Sequence, residues 1–122
     1  MSAASVANIA DVQPRFGEWG PGYLVQSDDA AFGVVTLRPG DAFDNHFHEH
    51  HTETFLVLEG SAELWLDRDE LLVLKPGDLV GCLPRVEHYL RNTGSAPFRA
   101  LFVKSPGVSG DKVEAPWAPG EE

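Results

Sequence analysis

Residues 40 to 60 read GDAFDNHFHEHHTETFLVLEG. Four of the five histidines, His46, His48, His50 and His51, crowd into this stretch, and Glu53 follows closely. His46 and His48 are two positions apart, so on an extended strand their rings leave the same face and can reach one ion, about 2.0 to 2.1 Å away if it is zinc. Glu53 can return to that ion after a tight turn. On the strand it opens, Glu53, Phe55, Val57 and Glu59 share a face, so an inward carboxylate makes Phe55 and Val57 the apolar walls of a substrate pocket. His88, on a separate run, is expected to add a third imidazole from across the fold. The expected ligands are thus His46, His48, Glu53 and His88, holding one divalent transition metal ion. Imidazole with carboxylate suits Mn, Fe, Co, Ni, Cu or Zn, and affinity alone does not choose among them.

Outward from this stretch, twelve Gly and nine Pro cut the chain into pieces too short for most helices, which average about 11 to 12 residues. Between the breakers lie runs rich in β-branched and aromatic residues: 22–25, 32–38, 54–59, 62–66, 71–74, 79–82, 86–91 and 98–104. Pro39-Gly40, Glu59-Gly60, Pro76-Gly77 and Thr93-Gly94 supply turns between them. Short strands at even spacing predict an all-β fold, an antiparallel sandwich or barrel rather than parallel βαβ units.

The 40–60 stretch resembles the first motif of the cupin superfamily: Gly40, five residues, His46-Phe47-His48, four residues, Glu53, six residues, Gly60. The second motif is similar from Gly77 to His88 and on to Asn92, but Pro84 sits one place late and Arg85 stands where the family has glycine. A differently shaped turn before His88 is therefore expected. The resemblance covers roughly residues 33–103 and implies a jelly-roll barrel of two antiparallel sheets with an ion in its mouth. Pairing His48 with His50 instead would leave two residues before Glu53, too few for the family spacing, so His50 and His51 are expected on the rim.

At 122 residues and 13.3 kDa the chain is expected to be one domain. Its barrel core should run from about residue 22 to 104, with residues 1–13 and 105–122 loosely held. Trp117, between two prolines, either anchors the tail on the barrel or lies free. A net charge of −10 repels phosphate backbones and anionic headgroups, so neither nucleic acid nor a membrane is expected as partner. The N-terminal stretch reads as no targeting segment, no run approaches about 18 apolar residues, and a single cysteine rules out an intrachain disulfide; a cytoplasmic protein is expected.

Several residues carry alternatives. Phe55 to Leu58 is apolar on both faces, so Leu56 and Leu58 need a cover: a second subunit, making a homodimer, or a segment of the same chain. His51 is the candidate for a catalytic proton shuttle beside the ordinary reading of a solvated loop histidine. Cys82, in an apolar run, reads as an inert core residue more readily than as a nucleophile. Asp44 shares the parity of His46 and His48, yet its place after Gly40 also suits a solvated turn.

No nucleotide-binding glycine loop or Gly-x-Ser-x-Gly elbow appears, so the metal must carry any reaction. Three functions follow. The first is a Lewis-acid enzyme on a small-molecule substrate, similar to isomerase- and epimerase-like cupins acting on a sugar, sugar acid or hydroxy-keto compound. The second is an iron-dependent dioxygenase. The third is a non-catalytic metabolite-binding module.

Overall fold

The computed structural model describes residues 4–107 and 109–121. Its strands are β1 (Gly20–Gln26), β2 (Ala31–Leu37), β3 (Ala42–His48), β4 (Thr52–Glu59), β5 (Ala62–Leu66), β6 (Glu70–Leu74), β7 (Leu79–Cys82), β8 (His88–Arg91), β9 (Phe98–Ser105) and β10 (Lys112–Glu114). They form two five-stranded sheets, β1-β2-β9-β4-β7 and β10-β3-β8-β5-β6, with antiparallel pairing throughout. This is the jelly-roll arrangement the motif resemblance implies. No helix among the described residues is long and apolar enough to cross a membrane.

Alternation builds the interior. Phe98, Ala100 and Phe102 on β9, Phe55 and Val57 on β4, and Leu90 on β8 turn inward and pack with Leu37, Leu64 and Leu74. The inward face of β4 ends at Val57. A register irregularity between Val57 and Glu59 rotates Glu59 out into solvent, so the four-residue inward face expected from Glu53 to Glu59 holds for three.

Two strands lie outside the eight expected runs, β3 and β10. Asp44 and Asn45 are poor strand formers, but β3 is paired on both sides, by β8 and β10, and ladder bonds override local propensity. β3 also carries an irregularity between Phe43 and His46. It breaks the simple parity: Asn45 and His46 are both buried, while Asp44 is exposed rather than interior. Asn45 Nδ2 donates to Glu87 Oε1 at 2.7 Å and to the Ala115 carbonyl at 2.8 Å, fastening the tail to the barrel.

The tail is therefore docked, not loose, along much of its length. Lys112, Val113 and Glu114 pair with His48, Phe47 and His46, and Trp117 is 8% exposed, edge-on to Trp65 and Tyr89. Near the other end, Asn8 caps a 3-10 turn at Ile9–Asp11, and Arg99 donates to the Ile9 carbonyl at 3.2 Å. On the outer face of β4, Leu56 is half-buried, Leu58 is exposed, and Leu79, opposite Leu56, is 69% exposed.

Candidate metal centre

β3 and β8 are neighbours with His46 directly opposite His88, so the second sheet presents three imidazoles side by side. Ring centroids lie 4.4 Å apart for His46 and His88, 5.1 Å for His46 and His48, and 5.6 Å for His48 and His88. Glu53 faces them from β4 on the first sheet. Glu53 Oε1 lies 2.9 Å from His88 Nε2, 3.1 Å from His48 Nε2 and 4.0 Å from His46 Nε2. All four side chains are buried, and one donor atom from each lies within 4.8 Å of the others. The site thus ties the two sheets together at one end of the core.

The donor chemistry asks for a cation. His46 Nδ1 is 2.6 Å from the Asp44 carbonyl and His88 Nδ1 is 3.0 Å from the Val86 carbonyl. A carbonyl only accepts, so each Nδ1 carries a proton and donates it, which leaves Nε2 of the neutral ring as a lone pair aimed at the centre. Burial, reinforced by the neighbouring His88, pushes His46 down to about 3, and burial also lowers His48. Burial alone would raise the Glu53 carboxyl, but its contacts with His48 and His88 and the nearby Lys104 hold it well below the usual carboxylate range. An imidazole lone pair in contact with a carboxylate oxygen repels it unless a positive charge, a proton on Nε2 or a metal cation, lies between them. A divalent transition metal fits this group, and these four residues can hold it.

Phe55 stands beside the ligands and, with Val35, Phe43, Leu90 and Phe102, walls a cavity of about 40 Å³ that His46, Glu53 and His88 also line. Val57 does not line it. Each inward residue along β4 sits about 7 Å further from the mouth than the last, and this step carries Val57 into the hydrophobic core. A wider cleft of about 300 Å³, lined by His48, His51, Tyr23 and Asp111, shares Arg15, Lys104 and Lys112 with the first cavity.

His51 is not a solvated rim residue. It is buried because the returning tail covers it: its Nδ1 donates to the Pro106 carbonyl, and its Nε2 lies 3.7 Å from Asp111 Oδ2. His50 is exposed. Cys82 is buried opposite Glu53, and burial pushes its thiol up to about 12, so it offers no thiolate at neutral pH. The turn before His88 accommodates the missing glycine by strain: Arg85 takes φ of +70° and donates its N–H to the His48 carbonyl at 2.7 Å.

Asp111, which nothing in the local sequence advertises, orders the loop joining the ligand strands. Its Oδ2 accepts the N–H groups of His50 at 2.8 Å and His51 at 2.9 Å, and its carbonyl accepts that of Glu49 at 3.2 Å. Oδ2 thus already accepts two bonds, which makes Asp111 a cap on the loop between His48 and Glu53. Asp111→Ala should weaken zinc binding about 10- to 100-fold by loosening that loop, read by competition with a chromogenic chelator. Unchanged affinity would reduce the cap to a contribution to stability alone.

Comparison with known proteins agrees with this fold. The chain belongs to the cupin family: the family's cupin-domain model matches residues 33–104. Over 68 residues it is 38% identical to quercetin 2,3-dioxygenase of Bacillus subtilis, covering 54% of this chain and 20% of that one. It is 34% identical over 74 residues to the protein SchB of Streptomyces halstedii, covering 61% of this chain and 53% of that one. The chain thus spans about a fifth and about half of these relatives. Among solved structures, a conserved double-stranded β-helix protein from Klebsiella pneumoniae superposes with a TM-score of 0.83 at 27% identity, covering 93% of this chain and 99% of that one.

Proposed function

We propose that the chain is a metal-dependent enzyme of small-molecule metabolism, working by Lewis-acid chemistry of the isomerase or epimerase type on a sugar, sugar acid or hydroxy-keto compound. The observation that carries this reading is the convergence of three imidazole nitrogens from one sheet and one carboxylate oxygen from the other, with His46, Glu53 and His88 lining a small, largely apolar cavity. A divalent ion held there supplies polarisation of a substrate carbonyl. Phe55, Phe43 and Phe102 exclude water around the bound substrate. His51 is the candidate proton acceptor: it lines the cleft, and with Nδ1 committed to Pro106, its Nε2, 3.7 Å from Asp111 Oδ2, is left to take up a proton. Leu58 and Leu79 support a homodimer through the outer face of β4 and β7, which sedimentation velocity would test.

The likeness to quercetin 2,3-dioxygenase favours a second reading, an iron-dependent dioxygenase. Incubation of the metal-loaded protein with a panel of sugars, sugar acids and hydroxy-keto compounds in D₂O separates the two. The Lewis-acid reading predicts deuterium at carbon next to a carbonyl with no oxygen uptake. Substrate-dependent oxygen consumption would replace it with the dioxygenase, and saturable binding without turnover would make the chain a binding module.

A further inference from the structure

The charges around the cavity are distributed unevenly. The chain has nine Lys and Arg against nineteen Asp and Glu, so acid partners are plentiful. Among the described residues, all but two of the nine cations lie within 4.0 Å of a carboxylate oxygen. The two are Arg15 and Lys104, and both line the cavity over His46, Glu53 and His88 as well as the adjoining cleft.

Lys104 is the more telling. It lies directly opposite Glu53 in the β4–β9 ladder, a position from which side chains of opposite charge ordinarily meet. Its ammonium instead donates to the Tyr23 hydroxyl at 2.7 Å and lies 5.2 Å and 5.4 Å from the ring centres of Tyr23 and Phe102. Glu53 is left to the imidazoles. Arg15 arrives from the segment before β1, positioned by its own N–H donating to the Pro21 carbonyl at 2.9 Å, and its guanidinium stands 5.8 Å from the Phe43 ring centre. Lys112, also in the wall, is paired with Glu114 at 3.0 Å. Two cations with no direct carboxylate partner among the described residues, in a chain of net charge −10, form a ready receptor for an anion, although the field of Lys104 also reaches Glu53. A guanidinium fork matches a planar carboxylate, and an ammonium on the opposite wall adds a point charge.

We infer that the substrate is a small organic acid whose carboxylate is held by Arg15 and Lys104 while its remaining oxygens face the metal ligands. This rests on the metal-dependent reading above and narrows its substrate class to the acids. The cleft, at about 300 Å³, is at the small end of ligand sites, and its inner cavity admits only a few atoms beyond the carboxylate.

The test is calorimetric titration of the full chain carrying one equivalent of Co²⁺ with malonate, malonamide and methyl phosphate, in wild type, Arg15→Gln and Lys104→Met. Arg15 is exposed, so its variant should fold normally; melting temperature and cobalt content are recorded for all three proteins. Each substitution should weaken malonate at least tenfold and leave malonamide and cobalt content unchanged. Malonate binding that is indifferent to both substitutions would overturn the inference, and methyl phosphate binding tighter than malonate would overturn the assignment to carboxylates. Failure of the wild type to take up cobalt would count against the metal reading alone. The malonate loss in Arg15→Gln, measured without metal, would then still judge the anion site.

Discussion

Replacement of His48 by Ala should abolish retention of a stoichiometric metal ion while leaving the barrel folded. In the proposed centre the ring would supply one of four donors, and it is buried between the sheets, so no surface residue or water shell would replace it at equal strength. Loss of a ligand should exceed the roughly 10- to 100-fold penalty of disturbing the groups that orient ligands. Glu53→Gln should behave alike, because it removes the only carboxylate among the four. Since a ligand that binds only the folded state stabilises it, zinc at a hundred times its dissociation constant should add about 2.7 kcal/mol to the wild type and nothing to either variant. Elemental analysis and thermal melts with and without zinc check both halves. His50→Ala, outside the ligand set, should leave zinc content intact.

Gly60→Ala should destabilise the barrel by about 2–5 kcal/mol, a large share of the roughly 5–15 kcal/mol that holds a domain together. Gly60 has φ of +74°, a left-handed conformation that costs any side chain, and an added Cβ would stand 2.2 Å from the Pro97 carbonyl oxygen. Neither backbone can retreat cheaply, because β9 begins at Phe98 in the core. Urea unfolding would show the midpoint fall with little change in slope. A loss below about 0.5 kcal/mol would mean that the turn relaxes.

The pairing of His46 with His48 and the turn at Gly60 were legible in the sequence because their reasons are local: spacing along a strand puts rings on one face, and a tight turn needs glycine, whereas His88 was reached through the motif resemblance. The alternation on β4 likewise pointed Glu53 and Phe55 inward. Local reasoning failed where the backbone departs from regular geometry or where partners come from far along the chain. The β3 irregularity defeats the parity that linked Asp44 to His46, and the tail that buries His51 joins the ligand loop from 60 positions away. Arg15, Asp111 and Lys112 carry no local mark, since their relation to the site exists only once the sheets close. Lys104 is different. Counting by twos from Phe98, Ala100 and Phe102 brings it to the inner face, so alternation alone would have found it.

The most direct test of the central claim is anomalous diffraction at the zinc edge from crystals of the zinc-loaded chain. One dominant peak is predicted, about 2.0–2.2 Å from a ring nitrogen of each of His46, His48 and His88 and from a carboxylate oxygen of Glu53. Zinc bound elsewhere, with no peak among these four side chains, would contradict the account.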